Sequence, residues 1–249
     1  MKKKTILTIL SFVMVAMISV MGTLAYLTDS ESVTNTFTIG RVDIVLDEAD
    51  VDKNGEIIDG NDRVKENEYH LIPGQTYTKD PTITVQANSE ESYIRMIMTV
   101  HNASAVQNII YKYQLGDFSA LIDGWDEMVW LYQDFSEDKA ANTISFEFRY
   151  KETVGADSTP AKLPALFETL IVPGEVTGEE LQKLYDPNGD GNYEDGFKMV
   201  IVGHAIQKAG FDDADAAWTA FEEQTNVAVQ TVSGGEVQTD DRFRPEESS

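Results

Sequence analysis

Ser92-Tyr93-Ile94-Arg95-Met96-Ile97-Met98-Thr99-Val100 is the stretch that decides the fold class. Its residues alternate, with Tyr93, Arg95, Ile97 and Thr99 on one face and Ile94, Met96, Met98 and Val100 on the other. A period of two is that of a half-buried strand, and the wholly apolar set is the core face. Working outward, Thr143 to Tyr150 alternates in the same way. Its Ile144, Phe146, Phe148 and Tyr150 share a face that reads as packed core rather than as an aromatic platform for a ligand. Further strands are expected at Val42 to Leu46, Thr82 to Ala87, Met128 to Tyr132, Ala165 to Val172 and Phe197 to Gln207. Turns are expected at Asn54-Gly55, Pro73-Gly74 and Pro173-Gly174; Asn-Gly favours a type I′ hairpin because both residues tolerate positive φ.

Three short helices interrupt this pattern. Val106, Ile109, Ile110 and Tyr113 are spaced for one side of a helix over Ala103 to Leu115, stopped by Gly116. Thr177-Gly178-Glu179-Glu180 has the spacing of a capping box, in which Thr177 and Glu180 satisfy each other's free amides, with Leu181, Leu184 and Tyr185 turned inward. Asp212 or Asp213 opens a third helix, whose Ala214, Ala217, Trp218 and Phe221 form an apolar stripe. Many short strands with few helices predict an all-β fold, an antiparallel β-sandwich with two or three short peripheral helices. Periodicity alone does not separate a jelly-roll-like sandwich from an immunoglobulin-like one.

Lys2, Lys3 and Lys4 precede an apolar run from Ile6 to Met21, followed by the small residues Gly22, Thr23 and Ala25. This is the layout of a signal peptide cut between Ala25 and Tyr26; the apolar run is shorter than the roughly 20 residues of a spanning helix. The expected organisation is therefore a leader over 1–25, one β domain over 26–232 and a polar, disordered acidic tail over 233–249. Net charge is -24, and loss of the three leader lysines takes it to -27. Such a polyanion is repelled by nucleic acid and by anionic lipid, so the only expected membrane contact is through the uncleaved leader. The chain has no cysteine, hence neither disulfides nor thiolate metal sites.

Asp186, Asn188, Asp190, Asn192 and Glu194 place oxygen donors at alternate positions, with Gly191 sixth in the run, as a calcium loop requires. Its twelfth position is Phe197, so the closing bidentate ligand is missing and a solvated acidic turn is the slightly stronger reading. Calcium is the one cofactor this pattern suggests. Asp50, Asp52, Asn54 and Gly55 begin a similar pattern, but Asn61 stands at its twelfth position and a polar surface hairpin is expected there. His70, His101 and His204 are far apart and outside any His-Glu-x-x-His motif, so no zinc catalysis is expected; His204 is expected to face out of its strand.

Three stretches resemble the secreted TasA/camelysin family of Gram-positive bacteria. They are the junction Ala25-Tyr26-Leu27-Thr28-Asp29 with Thr34-Asn35-Thr36-Phe37-Thr38 and Gly40-Arg41-Val42-Asp43-Ile44, the run Leu71-Ile72-Pro73-Gly74-Gln75-Thr76-Tyr77-Thr78-Lys79-Asp80-Pro81, and Gly203-His204-Ala205-Ile206-Gln207 with the helix at Trp218. Residues 103–160 carry no such likeness. The resemblance implies a jelly-roll-like sandwich, a leader cut by a SipW-type signal peptidase, and secretion to the cell surface or extracellular biofilm matrix as a structural protein. It also implies homopolymeric fibres. A physical route to such fibres is that the freed segment from Tyr26 to Gly40, through Thr34, Thr36, Phe37 and Ile39, adds as a strand to the next subunit; the alternative is that it pairs within its own domain, and the sequence does not choose between them. Camelysin-type members are described as metallopeptidases, an activity for which this chain shows no convergent groups.

Overall fold

The computed structural model describes residues 41–191 and 195–225. Its elements in chain order are β1 (Ile44–Asp47), β2 (Thr76–Thr78), β3 (Thr82–Val85), β4 (Ser89–His101), α1 (Ala103–Tyr113), a 3₁₀ turn (Phe118–Leu121) and β5 (Ile122–Asp123). There follow β6 (Trp130–Asp138), β7 (Thr143–Tyr150), β8 (Val154–Ala156), β9 (Ala161–Lys162), β10 (Thr169–Ile171), α2 (Gly178–Tyr185), β11 (Met199–Gln207) and α3 (Ala214–Thr225). The fold is all-β, with every strand pairing antiparallel and three short helices among the described residues.

The alternation of β4 builds the largest sheet, in the order β11-β4-β7-β6 with β8 beside β4. Register puts like faces together: Met98 lies opposite Ile201 on one side and Phe146 on the other, and Met96 opposite Gly203 and Phe148. Two three-stranded sheets, β1-β3-β9 and β2-β10-β5, supply Ile83, Val85, Tyr77 and Leu170 to the same buried cluster. Layers meet closely at Gly203, where a Cβ would lie 2.9 Å from Ile83 Cδ1 and 3.6 Å from Ile44 Cδ1. Glycine lets the Ile83 side chain pack there without shifting. Face-to-face sheets with interdigitating apolar side chains are what the two-residue period dictates.

α1 buries Val106, Ile109 and Ile110 as its spacing predicts, but it ends at Gln114, which takes the left-handed conformation and donates to the Ile110 and Tyr111 carbonyls. α2 opens with the capping box intact. Asp213 caps α3, its carboxylate accepting from the Ala216 amide at 2.9 Å.

Three local expectations change. The strand expected at Ala165 to Val172 contracts to Thr169–Ile171, because Leu166 leaves the ladder to donate to the Pro81 carbonyl and is fully buried with Phe167. Asn54-Gly55 is not a type I′ turn: Gly55 alone has positive φ, and the Asp52 carboxylate accepts from the Asn54 and Glu56 amides to shape the loop. The acidic stretch Asp47 to Asp62 is not wholly superficial either, since Glu48 and Val51 are buried.

Candidate functional site

β11 lies at the end of the large sheet and pairs only with β4 among the described strands. The His101 amide donates to the Lys198 carbonyl and the Lys208 amide to the Glu91 carbonyl, which fixes the parity of the ladder. Antiparallel strands alternate bonded and non-bonded positions, so the amides and carbonyls of Met199, Ile201, Gly203 and Ala205 point away from β4. No described residue accepts from or donates to them along that outer edge. Side chains at the same positions turn inward, while Val200 and Val202 stand on the outer face at 42% and 44% exposure.

Beside the first half of this edge lies a groove of about 540 Å³, bounded across from β11 by β1, the edge strand of its own sheet. Leu46, Leu71, Leu170, Phe197, Met199 and Ile201 line it with apolar surface. Lys65, Lys198, Glu66 and Glu68 also border it. An extended segment laid here would find open backbone groups on one wall and apolar side chains beneath.

The far half of the sheet's outer face is closed by α3. Arg95, expected on the solvent side of β4, is 1% exposed because α3 covers it. Its guanidinium lies 4.4 Å from the Trp218 ring centre and 5.3 Å from that of Phe221, and donates to Glu147 at 3.2 Å and Glu222 at 2.9 Å. A buried cation needs both its partners and its stacking to offset desolvation. His204 faces out of its strand as expected, but α3 partly covers it: its ring packs 5.0 Å from Phe221 and its Nδ1 accepts from Arg95 Nε at 3.3 Å. Burial, and then the neighbouring Arg95 charge, lower its pKa and favour the neutral imidazole. β4 alternation marks Arg95 as outward, but the helix that covers it becomes visible only once the Trp218 stripe is placed on that face.

Of the acidic loop, Asp186 is the C-cap of α2, is 8% exposed, and turns its carboxylate into the loop to accept from the Asp190 amide at 3.1 Å and the Gly191 amide at 3.0 Å. Gly191 has φ +79°, the sharp turn that the sixth position of such a loop needs. Asn188 reaches Asp195 at 3.4 Å. Asn192 and Glu194 lie outside the described residues, as do Ala25, Tyr26, Thr34, Thr36, Phe37, Ile39 and the 233–249 tail. The described residues contain no group of three or more His, Cys, Asp or Glu side chains placed to hold a metal ion. Their three histidines do not converge, with His204 paired to Arg95 and His101 at the end of β4.

The chain matches no known family, no curated protein and no solved structure.

Proposed function

We propose that this chain is a secreted structural protein of the cell surface or biofilm matrix, of TasA/camelysin type and with a jelly-roll-like strand order. It is exported by a leader that a SipW-type peptidase removes between Ala25 and Tyr26, and it has no catalytic role. Subunits assemble into fibres when the freed segment of one, with Phe37 and Ile39 on one face of an extended strand, adds to the outer edge of β11 in the next. The single observation that carries the reading is that edge, four residues with outward amides and carbonyls beside an apolar groove. Donor and acceptor are different segments of the chain, so the contact is heterologous and propagates. The uncut precursor does not polymerise, because its donor end is occupied.

Electron microscopy and size-exclusion chromatography test the reading on the chain beginning at Tyr26 and the chain beginning at Val42. Filaments from the first alone are expected; filaments from both, or from neither, overturn strand donation. A second reading, a monomeric calcium-dependent surface binding module, draws on the preformed turn at Asp186 to Gly191. It predicts monomers from both chains.

A further inference from the structure

We propose that Lys79 and Asn67 become joined by an isopeptide bond whose formation Glu48 catalyses. The carboxylate of Glu48 stands between the two side chains, with Oε2 2.7 Å from Lys79 Nζ and Oε1 2.9 Å from Asn67 Nδ2. Glu48 belongs to the acidic stretch that the sequence marks as polar surface. Yet the side chains of Lys79 and Glu48 are only 10% and 6% exposed.

Their backbones are fixed. Glu48 exchanges two hydrogen bonds with Val64, each 2.8 Å, and the Lys79 amide donates to the Glu168 carbonyl at 2.9 Å. Asn67 is held in one orientation, because Oδ1 accepts from the Val51 amide at 3.1 Å while Nδ2 donates to the Ala49 carbonyl at 2.8 Å as well as to Glu48. Tyr69 covers the amine, its ring centre 5.7 Å from Lys79 Nζ and its hydroxyl donating to the Thr78 carbonyl. Burial, with the Glu48 charge second, raises the pKa of that hydroxyl.

Each part of an acyl transfer is present. Glu48 and Lys79 are in hydrogen-bond contact, so a proton passes directly from the amine to the carboxylate. Glu48 takes a proton from Lys79, and the freed lone pair attacks Asn67 Cγ. The carbonyl electrons move onto Oδ1, where the Val51 amide stabilises the developing charge. Glu48 then passes protons from the attacking nitrogen to Nδ2, the Cγ–Nδ2 bond breaks and the carbonyl re-forms. Two protons leave Lys79 and both depart with the former amide nitrogen as ammonium. Glu48 returns to a carboxylate, and no oxidant, metal or second substrate is consumed. The bond ties the segment before the Pro73-Gly74 turn to the segment after it. It staples a chain that has no cysteine with which to form a disulfide.

Intact mass spectrometry of the denatured full chain reads the reaction directly, beside circular dichroism of the same sample before denaturation. Wild type is expected to weigh less than its sequence by one ammonia, and a protease digest should link the Asn67 peptide to the Lys79 peptide. Lys79→Arg keeps the ion pair with Glu48 but has no nucleophilic amine, and Glu48→Gln has no proton carrier; both should show the full sequence mass. Folded wild type at full mass overturns the proposal. So does an ammonia loss that persists in Lys79→Arg, as ring closure at Asn54-Gly55 would produce.

Discussion

Replacing Arg95 with methionine removes the cation on which α3 is seated while keeping an unbranched side chain to fill the space under Trp218. The cost follows from what each partner does next. Glu147 retains Arg149, whose Nε lies 2.6 Å away, so it is not left as an uncompensated charge. Glu222 is 48% exposed on its side chain and regains water. Removing one partner of a buried ion pair costs roughly 3–5 kcal/mol when the other is stranded, and the relief available to both glutamates places this case at the lower end, about 3 kcal/mol. Part of that is the cation–π contact with Trp218, about 1 kcal/mol. With a urea m-value of about 2 kcal/mol/M, the unfolding midpoint should fall by about 1.5 M. Urea titration followed by tryptophan fluorescence and far-ultraviolet circular dichroism measures it, with Glu222→Gln as the partial variant, expected to cost under about 1 kcal/mol because that pair is half exposed. A change for Arg95→Met within about 0.5 kcal/mol of zero, the scatter of ordinary surface substitutions, would refute the view that Arg95 seats the helix.

The α2 cap gives a smaller effect. Thr177→Ala removes the hydroxyl that the Glu180 amide donates to and should cost about 1 kcal/mol in the same titration. Acidification acts through the histidines: burial, then the Arg95 charge, lower the His204 pKa, and burial, then Lys198, lower that of His101. The unfolded chain therefore takes up protons first, near pH 6.5, so stability is full above that pH and falls as the pH drops through it towards the lowered folded values. Urea midpoints at pH 7.5 and about 5 should differ less in His204→Gln than in wild type. If the Asp186 loop holds calcium, millimolar calcium raises the wild-type melting temperature and Asp186→Ala abolishes the rise; no rise in wild type refutes calcium binding there.

Alternation in β4 and β7 was enough to place the core, because a period of two admits only one face when the other carries Arg95, Thr99, Glu147 and Arg149. Thr177 and Glu180 were equally legible, since a capping box is a contact between residues three apart. What the sequence hid is long-range. Glu48, Asn67 and Lys79 are separated by up to 31 residues and sit in polar stretches, so nothing local marks them as buried together. Arg95 and His204 read as solvent-facing because their strand pattern is blind to a helix arriving from residue 214 onward. The contraction of the strand before Val172 has the same origin: Leu166 and Phe167 are apolar enough for a strand, but their burial is reached from a loop that bonds to Pro81. The open edge of β11 was not legible, because its place at the sheet's end follows from pairing with β4 alone.

Ala205→Pro tests assembly at that edge most directly. Its amide points away from β4, so proline removes no ladder bond and is tolerated on an edge strand, while it takes away a donor that an added strand needs. Electron microscopy of the chain beginning at Tyr26 should show filaments for wild type and monomers for Ala205→Pro, with the two indistinguishable by circular dichroism. Filaments of equal length and number from a folded Ala205→Pro chain, or none from wild type, would contradict assembly through β11.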